Sequence, residues 1–215
     1  MSHQSINNLI SIKNEDVFKS SNVEIIAVSK TFTVDKINPL IDYGQIHFGE
    51  NKVQEAVDKW TEIKTKNNNI KLHLIGKLQT NKVKFCLPLF DYIHTLDNYK
   101  LAEKIATFQK IKKFRPKIFI QVNIGNESQK NGIQLNELDK FSYECKKNLD
   151  LDIIGLMCIP PNDNEPKSYF NKMKLLNKKL KLEHLSMGMS SDYIMAINCG
   201  ATFVRIGSKI FGNRS

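Results

Sequence analysis

The sequence predicts an α/β fold, a (β/α)8 TIM barrel in which eight parallel strands are ringed by helices. Short apolar or alternating runs recur eight times along the chain, and longer segments with helical periodicity separate most of them. The main alternative is a doubly wound open sheet. No GxGxxG or Walker sequence opens the first helix to support it. With 215 residues, 41% of them hydrophobic and 25% charged, the composition is that of a folded globular chain. Residues 1–215 are therefore read as a single barrel domain.

In chain order, residues 1 to about 20 read as an extra leading helix, weakened by its Ser and Asn content. The strand-like runs are Glu24–Lys30, Gln45–Asn51, Lys71–Lys77, Tyr92–Asp97, Lys117–Asn123, Asp152–Ile159, His184–Ser190 and Phe203–Gly207. Each is short and β-rich, with Gly, Asn, Pro or charge at its ends. Val53–Lys64 places Val53, Val57, Trp60 and Ile63 at helical spacing. Asn98–Lys112 does the same with Leu101, Ile105, Phe108 and Ile111. Glu137–Leu149 repeats the pattern through Leu138, Phe141 and Cys145, and Tyr169–Leu180 through Phe170, Met173, Leu176 and Leu180. Pro160–Pro166 reads as a loop, too short to be a linker between domains.

Lys+Arg 32 against Asp+Glu 22 gives a net charge of +10, which favours anionic ligands. The lysines are spread along the chain rather than blocked together, so a solvated basic surface is the simpler reading and nucleic acid is not expected. The first ten residues lack a basic stretch followed by a long apolar one, and no apolar run nears the roughly 18 residues of a membrane span. Cys86, Cys145, Cys158 and Cys199 form no CxxC pair and read as reduced, buried thiols. The expected location is cytoplasmic, with no membrane partner.

Barrels place function at the C-terminal ends of their strands. Lys30 is the unusual residue there, since it follows the apolar run Ile25–Val28 and can reach into the mouth. Partial desolvation would lower its pKa and free the amine for a carbonyl. A solvated strand end is the plainer alternative. The seventh and eighth runs lead into Ser186–Asp192 and into Gly207–Ser208, whose small residues and hydroxyls suit a phosphate. The plainer alternative for the first loop is a helix start capped by Ser190 or Ser191. An amine on one side and a phosphate cup on the other fit pyridoxal 5'-phosphate (PLP). Arg205 beside the cup would then face the ring nitrogen and keep it unprotonated, because a guanidinium cannot accept its proton.

Three other groups of residues are weighed against this reading. His47, His73 and His94 invite a zinc site, yet no Asp, Glu or Cys stands at ligand spacing, so they read as core histidines and no metal is expected. Glu50 is either a general acid or base, or polar support. Lys77, Lys82 and Lys84 read as a solvated face.

Several segments resemble the pyridoxal phosphate homeostasis protein family. They are Ala27–Thr31, His47–Glu55, His73–Lys82, Glu127–Ile133, Gly155–Met157, Ser186–Ser190 and Val204–Gly207 with Phe211–Gly212. The resemblance runs from about Ile25 to the C-terminus. It implies the fold-type III barrel of the alanine racemase N-terminal domain, with Lys30 as the Schiff-base lysine. It also implies the loops at Ser186, Ser190, Gly207 and Ser208 around the phosphate, Arg205 near the pyridine nitrogen and Asn51 close to the cofactor. The implied role is PLP buffering or delivery, with PLP-dependent apo-enzymes as recipients and no catalytic turnover. A racemase-like enzyme is the alternative, but the sequence shows no tyrosine at a strand C-terminus, and a second, β-rich domain is not expected after Ser215. Two positions depart from the family pattern. Ser208 stands where threonine is common and keeps the hydroxyl. Ile194 stands where glutamate is usual, which would cost a capping box if Ser191 is the N-cap.

Overall fold

Along β1 (Glu24–Val28) successive side chains point to opposite faces: Ile25 and Ala27 join the large outer core, and Ile26 turns into the barrel. The same alternation recurs on every side, so the interior holds Ile26, Tyr92, Phe119, Met157 and Phe203 as one cluster. A computed structural model of the chain describes residues 3–127, 129–163 and 165–212. The remaining strands are β2 (His47–Glu50), β3 (Lys71–Leu74), β4 (Tyr92–Leu96), β5 (Lys117–Gln121), β6 (Asp152–Met157), β7 (His184–Met189) and β8 (Phe203–Ile206). All pair in parallel and in sequence order. Pairing of β1 with β8, from Glu24 opposite Phe203 to Ala27 opposite Ile206, closes the barrel. The predicted barrel is the observed fold.

The helices are α1 (Gln4–Lys13), α2 (Asp16–Lys19), α3 (Val34–Asp42), α4 (Val53–Lys66), α5 (Val83–Cys86), α6 (Tyr99–Lys112), α7 (Leu138–Tyr143), α8 (Pro166–Lys179), α9 (Tyr193–Asn198) and α10 (Ser208–Phe211). Several differ from the sequence reading. The leading helix is two helices, because the chain leaves the helix at Asn14 and re-enters after the extended Glu15. The run Glu137–Leu149 is a short α-helix that widens into a π-turn over Glu144–Asn148. The loop before α8 ends sooner than expected, since Pro166 occupies the first turn, where its missing N–H costs nothing. No bounds were expected for helices α3 and α5. The first carries Pro39 inside it, and the second is one turn following a 3-10 turn.

The strands also stop earlier than their apolar runs. Lys30, Asn51, Ser190 and Gly207 therefore stand in the loops just past β1, β2, β7 and β8. The N-terminal segment braces the helices that follow two of these loops, α10 and α9. Asn8 Nδ2 donates to Ile210 O at 3.0 Å, and Tyr193 Oη donates to Glu15 Oε1 at 2.6 Å. No helix among the described residues is long and apolar enough to cross a membrane. All four cysteines are free and buried, and burial pushes the Cys145 and Cys158 thiols up to about 12, far from a reactive thiolate.

Candidate functional site

The backbone around Lys30 is held on both flanks. Ser29 donates its amide to Gly49 O at 3.0 Å and its hydroxyl to Glu50 Oε1 at 2.8 Å. Thr31 takes φ 69°, the left-handed region that a β-branched residue rarely enters. Its N–H donates to Glu55 Oε1 at 2.6 Å, which holds the chain in that strained turn. Lys59 gathers the cluster, donating to Ser29 O, Glu50 Oε1 and Glu55 Oε1, each at 3.0 Å, while Trp60 Nε1 donates to Glu50 Oε1 at 2.9 Å. Burial pushes the Glu55 carboxyl up, but the Thr31 amide and Lys59 outweigh it and hold the group below its ordinary value. Of the two readings of Glu50, the geometry gives polar support. The side chain is fully buried under the Lys30 turn rather than facing the mouth. Glu55, Lys59 and Trp60 were missed from sequence, although Glu55 and Lys59 stand at i, i+4 spacing on α4.

Across the mouth, β7 and α9 approach closely. Gly188 takes φ +91°, and a Cβ there would lie 2.6 Å from Ala196 Cβ, so only glycine fits. The following Ser190 Oγ accepts the Gly207 N–H at 3.3 Å, joining the two loops. The capping expectation is corrected here. The N-cap of α9 is Asp192, not Ser190 or Ser191, and its Oδ1 accepts the Met189 N–H at 2.6 Å. Ile194 is then the second residue of the helix and exposed, so the capping box at issue does not arise there.

These loops open on one cavity of about 580 Å³. Lys30, Asn51, Ser190, Arg205, Gly207 and Ser208 all line it, as does Ser191, with Val28, Phe32 and Ile75 supplying apolar wall. Phe32 stacks on Phe211 with ring centroids 4.8 Å apart, which closes one side. Asn51 is positioned by Gly76, where a Cβ would meet Asn51 O at 2.2 Å. Ser186 is the exception. It is fully buried and outside the lining, where it accepts from Arg205 Nη1 at 2.7 Å. Arg205 is 5% exposed and also donates to Cys158 O at 2.9 Å. Burial lowers its pKa, partly offset by Cys158 and Asp192. Two of its five donors are used this way, leaving others for a ligand.

The three candidate histidines lie in one hydrogen-bonded chain inside the barrel. His47 Nδ1 lies 2.8 Å from His73 Nε2, His73 Nδ1 lies 2.8 Å from His94 Nε2, and His94 Nδ1 lies 2.8 Å from Ser186 Oγ. Burial lowers the pKa of each ring. The basic stretch after β3 carries one aromatic that the sequence reading passed over: Phe85 is 44% exposed, with Lys84 Nζ 4.7 Å from its ring centroid. Lys77 instead donates to Asn131 Oδ1 at 2.9 Å.

A closed parallel barrel with an amine, an arginine and two serine-bearing loops at its C-terminal mouth defines a class. Residues 8–215 match the family model described as alanine racemase, N-terminal domain. Among curated relatives, the pyridoxal phosphate homeostasis protein of Haemophilus influenzae is 39% identical, over 97% of this chain and 94% of its own. That of Escherichia coli K12 is 37% identical over 89% and 86%. Among solved structures, PipY of Synechococcus elongatus PCC7942 with PLP bound superposes with a TM-score of 0.88 at 33% identity, covering 97% of this chain and all of that one. Alanine racemase of Clostridium difficile 630 shares the fold, with a TM-score of 0.73 at 16% identity over 98% of this chain and 56% of that one. This chain belongs to the pyridoxal phosphate homeostasis protein family.

Proposed function

We propose that the chain binds PLP in the cavity at the barrel mouth and serves PLP homeostasis by buffering or delivering it. The observation that carries this is the convergence of Lys30, Arg205 and the Ser190 and Ser208 loops on one cavity whose described lining contains no carboxylate. The donor set fits the cofactor: hydroxyls and loop amides for a phosphate, an amine for an aldehyde, and apolar wall for a ring. When bound, PLP supplies a reactive aldehyde and an electron-accepting ring. Lys30 would hold it covalently, and Asn51, Ser190, Gly207 and Ser208 would orient it. Arg205 would present a donor to the ring nitrogen, and Ser186 steadies Arg205 by accepting from its Nη1. PLP-dependent apo-enzymes in the cytoplasm are the proposed recipients.

Charge-assisted hydrogen bonds to a phosphate are each worth roughly 1.5–3 kcal/mol. Ser190→Ala and Ser208→Ala are therefore expected to weaken PLP binding about tenfold or more, with little effect on pyridoxal, which lacks the phosphate. Titration of both ligands by absorbance decides it. Equal losses for the two ligands would place the phosphate elsewhere.

The chain is not proposed to turn over amino acids. Racemisation needs an acid and a base on opposite faces of the reacting carbon. Among the described residues lining the cavity, Lys30 is the one amine, and no tyrosine, histidine or carboxylate accompanies it. Arg205 at the ring nitrogen would further weaken the ring as an electron sink. PLP-loaded protein incubated with L-alanine in deuterated water is expected to show no appreciable Cα exchange by NMR. Rapid exchange with accumulation of the D-isomer, lost in Lys30→Ala, would make it a racemase.

A further inference from the structure

We propose that His47, His73, His94 and Ser186 form a hydrogen-bond relay through the barrel, by which the charge state of His47 at the floor sets the direction of the Ser186 hydroxyl beneath Arg205. The relay is a property of the polypeptide and does not rest on the cofactor assigned above. Its three links are each 2.8 Å, and His73, His94 and Ser186 are fully buried, so water does not interrupt them. His47 alone reaches outward, into a second cavity of about 310 Å³ at the N-terminal end of the strands, lined also by Lys13, Glu24 and Gln45.

The two ends impose one polarity. Arg205 only donates, so Ser186 Oγ accepts from it at 2.7 Å and is free to give its own proton to His94 Nδ1. His94 then carries its proton on Nε2 and donates to His73 Nδ1, and His73 donates in the same sense to His47 Nδ1. His47 is left with Nε2–H, 3.8 Å from the acceptor-only carboxylate oxygen of Glu24. All three neutral rings thus share the Nε2–H form.

Protonating His47 reverses every link. A charged His47 donates from Nδ1, so His73 Nε2 must accept and its hydrogen moves to Nδ1. His94 shifts likewise, and Ser186 Oγ then accepts from His94 as well as from Arg205. The ring hydrogens of His73 and His94 change nitrogen, Ser186 keeps its own hydrogen and turns it away from His94, and the chain gains the single proton that His47 takes from water. His47 is the ring that titrates, since only it is open to solvent. The charges facing it are Glu24 on β1 and Asp91 ahead of β4, which favour its cation, and Lys71 on β3 and Lys117 on β5, which oppose it. Lys13 borders the floor cavity, Lys64 acts on His73, and Arg205 from β8 opposes charge on His94. His73 is also stacked on Tyr92 at 4.2 Å, which keeps the middle ring in place.

Nitrogen NMR of the labelled imidazoles, on the full chain without added ligand, tests this directly. Near neutral pH all three rings are expected as Nε2–H. On acidification His73 and His94 are expected to switch to Nδ1–H at the midpoint of His47, while staying neutral. Rings that disagree at neutral pH, or that keep their form through the His47 titration, would overturn the relay. His73→Phe retains the stack and cuts the chain. His47 should then titrate higher by on the order of one pH unit, because protonation no longer has to reverse its neighbours. An unchanged His47 midpoint in that folded variant would overturn it equally.

Discussion

Lys30→Ala is expected to leave the barrel folded and to remove the visible absorbance of PLP-loaded protein. The size of the effect follows from what Lys30 does and does not touch. It stands two residues beyond β1, half-buried at the cavity, and is absent from the apolar core, so stability should fall by no more than the roughly 1 kcal/mol typical of a point substitution. The turn that carries it stays in place, because Ser29 and Thr31 are held through their own amides and the Ser29 hydroxyl. What the proposal expects to be lost is the covalent hold. The phosphate-side donors remain and should still give weaker, reversible binding, so PLP that survives gel filtration on the parent chain should be stripped from the variant. Retention and absorbance equal to the parent would remove Lys30 from the site.

Lys59→Ala is expected to destabilise the protein by about 3–5 kcal/mol, because it leaves a buried carboxylate without its cation. Glu50 is fully buried and the Lys59 side chain is 9% exposed. Glu50 Oε2 already has no hydrogen-bond partner among the described residues, so Trp60 and Ser29 would be left to hold the charge alone. Urea unfolding should show the loss, and PLP retention should fall with it, since Lys59 also braces Ser29 O and Glu55 beneath the Lys30 turn. Arg115→Ala is the control. Its pair with Asp150 is 50% and 68% exposed, where removal costs about 1 kcal/mol or less. A Lys59→Ala protein as stable as the Arg115→Ala protein would show that the cluster is not what holds the turn.

The barrel was legible because its strands, buried on both faces, write themselves as short apolar runs. Closure and strand order followed from the number of those runs. The helices were less so. Val34–Asp42 hides behind Pro39 and four charged or amide side chains, and Val83–Cys86 is too short to show a period. At the candidate site, Lys30, Asn51, Ser190, Arg205, Gly207 and Ser208 were singled out because strand ends are where a barrel exposes chemistry, and all six line one cavity. Ser186 was grouped with the same loop, but the pleat turns it inward, two residues along from His184, under Arg205. Lys59 and Trp60 could not be read locally. They come from a helix face about thirty residues downstream and meet Lys30's neighbours only once β1 and β2 pair. The three histidines were read as core histidines, and they are buried or nearly so. Their linkage appears only with the strand register, which sets His73 beside Gly49 and Tyr92 rather than level with His47 and His94.

The central claim is that Lys30 carries PLP at the barrel mouth, and borohydride reduction of the PLP-loaded chain followed by peptide mapping tests it most directly. The account predicts the reduced pyridoxyl group on the peptide containing Lys30, with the peptides of Lys77, Lys130 and Lys209 unmodified. A pyridoxyl group on any of those lysines, with Lys30 untouched, would contradict it.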